Sequence, residues 1–414
     1  MKKTILTCIF LFSFITLLQA QWVEQTSGVT TSLLSLSAVD DNVAWACGNS
    51  SRVVRTTNGG TSWAPVTNPG AGSMYNIFGV DANTALVTTS AASTTVWRTT
   101  NGGSTWTTVF TQTGGFIDAI WMTSATNGFM MGDPVGGRWS LWKTTNGGAN
   151  WDSTGLNLAA NADAGWNNGM MVIGTRIWFT SNGPRIYYST NSGSNWSLQT
   201  VTAASSYSVL WFNTTLSGMA GIDANMVTTA NSGTLWTPLV TPPAGTQTVY
   251  AITGTGTTWF VIRAASIIHK STTNGASWVT DYTAPTGTFV HMQKAINGNR
   301  LWATQSDGGI SMSSQLMGVT PISGEIPTSY SISQNYPNPF NPATKIDFAL
   351  PKSSNVVLKV YNTLGKEVAV IFSGFLSAGS YTADFNASEL SSGIYFYTIN
   401  TGDFTETKKM ILVK

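Results

Sequence analysis

Residues 55–63 read RTTNGGTSW, 98–106 RTTNGGSTW and 143–151 KTTNGGANW, and the phrase returns as YSTNSGSNW (188–196), TTANSGTLW (228–236) and STTNGASW (271–278). The closing tryptophans Trp63, Trp106, Trp151, Trp196, Trp236 and Trp278 stand 40 to 45 residues apart. That period is the length of one four-stranded blade of a β-propeller. The residue types are those of a hairpin turn, in which a hydroxyl and an amide side chain bond to nearby backbone and glycine adopts a conformation closed to other residues. The tryptophan then packs into the apolar layer between blades.

Between the phrases the strands alternate apolar and polar residues, as in RIWFTS (176–181), TTWFVI (257–262) and RLWATQ (300–305). Trp45, Trp178, Trp259 and Trp302 recur at the centre of this strand, which predicts a core position. A seventh repeat begins after Trp278, but QLMGVT (315–320) stands where its turn should be, so its outer strand is missing. QWVEQTSG (21–28) precedes LLSLSAVDDNVAWACG (33–48) much as Trp63 precedes the second repeat. The reading is therefore seven blades, with the first strand of the chain closing the last blade and leaving no open sheet edge.

The six phrases resemble the Asp-box, or BNR, repeat of sialidase-like propellers, whose pattern runs Ser/Thr, any, Asp, any, Gly, any, Thr/Ser, Trp. In the first phrase these places are Thr56, Asn58, Gly60, Ser62 and Trp63. Asn58, Asn101, Asn146, Asn191 and Asn231 depart from the family's Asp, and the sixth phrase counts one residue short. The resemblance implies a structural role for these turns, away from the ligand face. It also implies what a sialidase needs: three arginines, a Tyr–Glu pair, an Asp and an Arg-Ile-Pro signature. Glu24 is the only glutamate of the propeller region, and Arg176-Ile177 and Arg185-Ile186 continue into Trp and Tyr, so sialidase chemistry is poorly supported.

After GVTPISGEIPTSYSISQ (318–334), rich in Pro, Ser and Gly and read as a linker, come QNYPNPFNPATKIDFALP (334–351), VVLKVYNTLGKEV (356–368), SGIYFYTI (392–399) and TKKMILVK (407–414). In that order the four segments resemble the C-terminal sorting domain of type IX secretion substrates. The resemblance implies an outer-membrane translocon as partner. The residues alone predict strands over 345–350, 356–362, 368–372, 381–385, 393–401 and 405–413, building a small antiparallel sandwich. At the other end, Lys2 and Lys3, the apolar run Ile5 to Leu18 and Leu18-Gln19-Ala20 read as a secretory signal. Cys8 leaves with it, and Cys47 stands alone as a small core residue.

The expected organisation is all-β: signal peptide 1–20, a seven-bladed propeller 21–318, a linker 319–334 and a small Ig-like sandwich 335–414. The expected location is outside the cell or on its outer surface, after Sec-dependent export through the periplasm. With 20 basic and 18 acidic residues among 414 and a net charge of +2, nothing argues for nucleic acid. The mature chain carries no run long enough to span a bilayer as a helix. No cofactor, metal or nucleotide motif is read; the only histidines, His269 and His291, lack cysteine companions.

If the propeller binds a ligand, loops on a rigid scaffold are the place. The face carrying the starts of the inner strands gathers Asp118, Asp133, Arg138, Trp166, Arg185, Asp223, Arg263 and His291 as candidate binding residues, alongside Tyr75, Tyr207, Tyr250 and Asp307. GDPVGGRWS (132–140) and NADAGWNNG (161–169) depart from the repeat there, the second presenting Trp166 among amides. No catalytic residue is assigned. The leading reading is a non-enzymatic binding propeller taking a glycan or protein ligand, and the alternative is a glycan-active hydrolase needing two of Asp118, Asp133, Asp163, Asp223 and Asp307 about 5–10 Å apart in a cleft. A third reading, an assembly factor like the photosystem propellers with these repeats, needs a basic groove that the scattered arginines do not form.

Overall fold

The computed structural model describes residues 22–90, 93–201, 208–222, 225–263, 265–313, 319–323, 326–352, 354–376, 378–387 and 390–414. The expected signal peptide, Tyr207 and Asp223 lie outside these residues. Every regular element described is a β-strand.

Each repeat phrase builds the same turn. Thr56 Oγ1 accepts the Gly60 N–H at 2.9 Å and donates to Asn58 Oδ1 at 3.0 Å, which accepts the Ser62 N–H at 3.0 Å. The second turn repeats these bonds through Thr99, Asn101, Gly103 and Thr105, and the fifth through Thr229, Asn231, Gly233 and Leu235. Gly59 and Gly60, at φ +66° and +77°, occupy the left-handed region that favours glycine. The sixth turn corrects the expectation of a shorter phrase: Gly275 N–H reaches Ser271 Oγ at 2.9 Å and Ser277 N–H reaches Thr273 Oγ1 at 2.9 Å. Threonine here supplies the acceptor that asparagine supplies elsewhere, so the turn keeps its full length.

Seven antiparallel sheets are described between residues 22 and 313, six of them four-stranded and the third three-stranded. Their inner strands are Leu33–Ala38, Met74–Gly79, Ile117–Met122, Gly165–Ile173, Val209–Phe212, Val249–Thr255 and Phe289–Lys294. Each touches the inner strand of the next sheet, and the seventh touches the first, so the sheets close a ring. Side chains stitch the neighbours: Ser37 Oγ accepts the Gly79 N–H at 2.9 Å, Asn76 Oδ1 the Ile120 N–H at 3.1 Å, and Gln293 Oε1 the Ala38 N–H at 2.9 Å. Trp45, Trp178, Trp259 and Trp302 are fully buried between sheets, and Trp63 packs edge-on against Trp302 at 5.6 Å.

The first strand of the chain, Trp22–Gln25, completes the last sheet, with Trp22 opposite Ser313 and Gln25 opposite Ile310. Trp22 is buried, stacks on Tyr282 at 5.7 Å and donates Nε1–H to Asp281 at 2.7 Å. Glu24 accepts from Ser311 Oγ and Tyr282 Oη, both at 2.5 Å, and from Gln305 Nε2 at 3.1 Å. Its role is therefore in the seam. Asp41 of the first sheet accepts the Asn299 and Arg300 N–H groups at 2.7 and 2.8 Å, holding the turn of the one sheet that lacks a box.

The C-terminal residues form two four-stranded sheets that share one core, with Ile346, Phe348, Leu358, Val360, Tyr397 and Met410 at its centre. All six strands expected there are present, the last spanning Thr405–Leu412. The expected linker is corrected: Val319–Ser323 pairs with Gly379–Asn386, and Ser331–Ile332 pairs with Ala343–Leu350. Its proline-rich composition conceals Val319 and Ile332, both buried in the sandwich core, and Pro321 is tolerated because its strand is an edge. The motif segments at the two ends of this domain meet. Phe340 N–H donates to Ile411 O at 2.9 Å, Val413 N–H to Phe340 O at 3.0 Å, and Ile411 N–H to Asn338 Oδ1 at 2.9 Å.

Candidate functional site

Along the ring axis the inner strands leave a cavity of about 280 Å³. Its shape follows from one device, a β-bulge near the start of the inner strand, found in six of the seven sheets. A bulge adds a residue to one strand and redirects its side chain. Leu34, Tyr75, Tyr250 and Val290 are such residues, and all four line the cavity. Trp121 and Trp211, next to the far ends of their strands, close the other end with ring centroids 6.5 Å apart, and Phe78 lies 5.9 Å from Trp121.

The fourth sheet exaggerates the device: Gly165 pairs with Ser181 and Met170 with Phe179, so Trp166–Gly169 oppose Thr180 alone. The surplus chain forms a strap across the cavity to the first two sheets. Asn168, at φ +62°, accepts from Ser35 Oγ at 2.8 Å and Asn76 Nδ2 at 2.5 Å. Asn167 Nδ2 donates to Tyr75 O at 2.7 Å, which fixes the amide's orientation and leaves Oδ1 buried with no donor. Neither asparagine is charged or aromatic, so neither stands out in the sequence as a candidate. The signal was the repeat-breaking WNNG at 166–169.

Of the expected residues, His291 lines the cavity, whereas Trp166 sits at the strap's start, 36% exposed. His291 Nδ1 accepts the Leu36 N–H at 3.1 Å, which places the proton on Nε2. Burial pushes its pKa down to about 4, so the imidazole is neutral at physiological pH. Arg185 is held by Asp163 at 2.7 Å. The buried Asp163 also accepts from Ser181 Oγ at 3.0 Å and Tyr187 Oη at 3.1 Å, anchoring the approach to the strap. Arg263 is buried and donates to Pro243 O at 2.7 Å. Arg138 is exposed on its hairpin, 3.4 Å from Ser153 Oγ.

Asp118 and Asp133 come together under the strap. Asp133 Oδ1 accepts the Gly165 N–H at 2.8 Å, and a Cβ on Gly165 would lie 2.2 Å from Asp118 Oδ2. Only glycine fits there. Asp118 is buried, its Oδ2 has no partner, and burial reinforced by the neighbouring Asp133 raises its pKa well above the ordinary value. Burial raises Asp133 as well. Asp118 thus keeps its proton in the folded chain where the unfolded chain has lost it, and stability falls as pH rises from 3.8 through the raised folded value. Asp118→Asn removes that loss. We expect thermal melts to give a Tm at pH 7 above wild type and a flatter pH profile; a lower Tm would mean that the charged form is used in the fold.

The described residues define an all-β chain with propeller-like and sandwich parts, and no described helix is long and apolar enough to cross a membrane. Residues 334–414 match the secretion system C-terminal sorting domain family. A tail of this family implies engagement of the type IX machinery and export to the cell surface or beyond. A search of curated proteins gives no match. Among solved structures the chain is similar to YCF48 bound to D1 peptide, at 15% identity and TM-score 0.59, covering 71% of this chain and 97% of that one. It is also similar to YCF48 from Cyanidioschyzon merolae, at 15% identity and TM-score 0.56 over 71% and 98% of the two chains. The WD40 beta propeller domain of Doa1 aligns at 13% identity and TM-score 0.54, again over 71% and 98%. At these identities the likeness speaks for the fold.

Proposed function

We propose that this chain is a seven-bladed Asp-box propeller carried outside the cell by its sorting domain, after removal of an N-terminal signal, and that it works there as a non-enzymatic binding module. The cavity on the ring axis is its ligand site, with the sandwich, Ig-like in type, serving address rather than recognition. The observation that carries the reading is the cavity's lining: a ring of aromatic, aliphatic and amide side chains from every sheet, with no aspartate, glutamate, lysine or arginine among the described residues that form it. Such a lining suits binding by shape and a few hydrogen bonds.

A divergent hydrolase is the second reading, favoured by the coupled carboxyls of Asp118 and Asp133. Glycosidases use such pairs, one carboxyl protonated and one ionised, flanking the scissile bond. Here Asp133 is engaged by the Gly165 N–H and Asp118 is buried beneath the same glycine. Incubation of the full chain with a panel of fluorogenic glycosides decides between the two. The binding module gives no turnover above buffer, whereas turnover abolished by Asp133→Asn would replace it with the hydrolase.

A further inference from the structure

We infer that the cavity takes a single uncharged sugar ring, an inference that rests on the binding-module reading above. Three features converge on that ligand. The first is charge: among the described residues no formally charged side chain lines the cavity, and His291 is neutral there. A carboxylate or ammonium group would be stripped of water with no partner to compensate.

The second is the supply of contacts. Tyr75 and Tyr250 stand at the mouth, Tyr250 40% exposed, and Trp121 and Trp211 close the far end. Aromatic faces and edges of this kind suit a body that is apolar on its faces and polar at its rim, which describes a pyranose. His291 Nε2–H is a donor left free by the bond at Nδ1. A ring hydroxyl can accept from that N–H.

The third feature argues against an extended peptide. A peptide that adds to a sheet edge uses the edge strand's free N–H and C=O groups. Along the inner edges of this ring those donors are occupied: Leu36 by His291, Ala38 by Gln293, Ile77 by Ser35, Gly79 by Ser37, Ile120 by Asn76 and Lys294 by Thr253. The strap also crosses the cavity, and its volume of about 280 Å³ falls just below the range of drug-sized ligand sites, roughly 300–1,000 Å³. One ring fits that space.

The test is calorimetric and fluorescence titration of the full chain with three probes: methyl glycosides of neutral hexoses, sialic acid, and N-acetyltyrosine amide as a stand-in for a peptide. We expect a neutral hexoside to bind, with sialic acid at least about tenfold weaker because its carboxylate enters an uncharged site. Tyr250→Ala, at an exposed rim position that leaves the fold intact, should weaken the hexoside about threefold to tenfold. Preference for the tyrosine amide, or equal binding of sialic acid, overturns the sugar while leaving the binding module standing. Failure of all three probes to bind overturns both.

Discussion

Deleting Trp22–Gln25 is expected to leave the propeller without a stable closed fold, although it removes only the outermost strand of one sheet. The strand carries Trp22, whose buried ring stacks on Tyr282, and Glu24, which gathers hydrogen bonds from Ser311, Gln305 and Tyr282. Loss of a buried tryptophan costs about 3–5 kcal/mol, a large share of the roughly 5–15 kcal/mol by which a folded protein exceeds its unfolded state. The deletion also takes the shared acceptor from Ser311 and Gln305, leaving them only their bond to each other, and opens a sheet edge along Ile310–Ser313. The milder Trp22→Ala should lower Tm by about 5–10 °C. Far-ultraviolet melts check both, and an unchanged Tm in Trp22→Ala would mean that the seam does not hold the ring.

Deleting Lys408–Lys414 should trap the chain in the periplasm. These residues include Met410 and Leu412, both buried in the sandwich core, and they supply most of the pairing to Gly393–Asn400. They also hold the proline-rich opening segment of the domain through Phe340 and Asn338. One deletion therefore removes the end motif and releases the start motif. Fractionation of cells carrying the deletion should find the chain in the periplasm, with none reaching the surface or medium. Normal appearance outside the cell would contradict the sorting assignment.

What was readable from sequence was local or repeated. The turns could be read because Thr56, Asn58, Gly60 and their counterparts make all their bonds within a few residues. The closing strand could be read because Trp22 keeps the register of a repeat. The sixth turn counts short in the sequence because a hydroxyl replaces an amide at Thr273, a change visible only in the bond it makes to Ser277. Linker and strand were confused at Val319 and Ile332, where turn-forming neighbours hide two core residues.

The candidate site was legible as a face and only partly as residues. Asp118, Asp163 and Arg263 have polar side chains that suggest a surface, yet all three are buried in the scaffold. The strap could not be foreseen: Asn168 meets Ser35 and Asn76 across 133 and 92 residues of chain, through an unusually long bulge whose path no local pattern encodes.

The account depends most on the chain's two distant segments meeting at the seam. Val23 and Met312 are direct partners across it, and Cys47, the only cysteine among the described residues, is buried. Val23→Cys combined with Met312→Cys therefore tests the closure under mild oxidation. Peptide mapping should find the two new cysteines joined within one chain, with a Tm above that of the reduced protein. Both new cysteines free, alongside Cys47, in the folded and oxidised protein would contradict the closed ring.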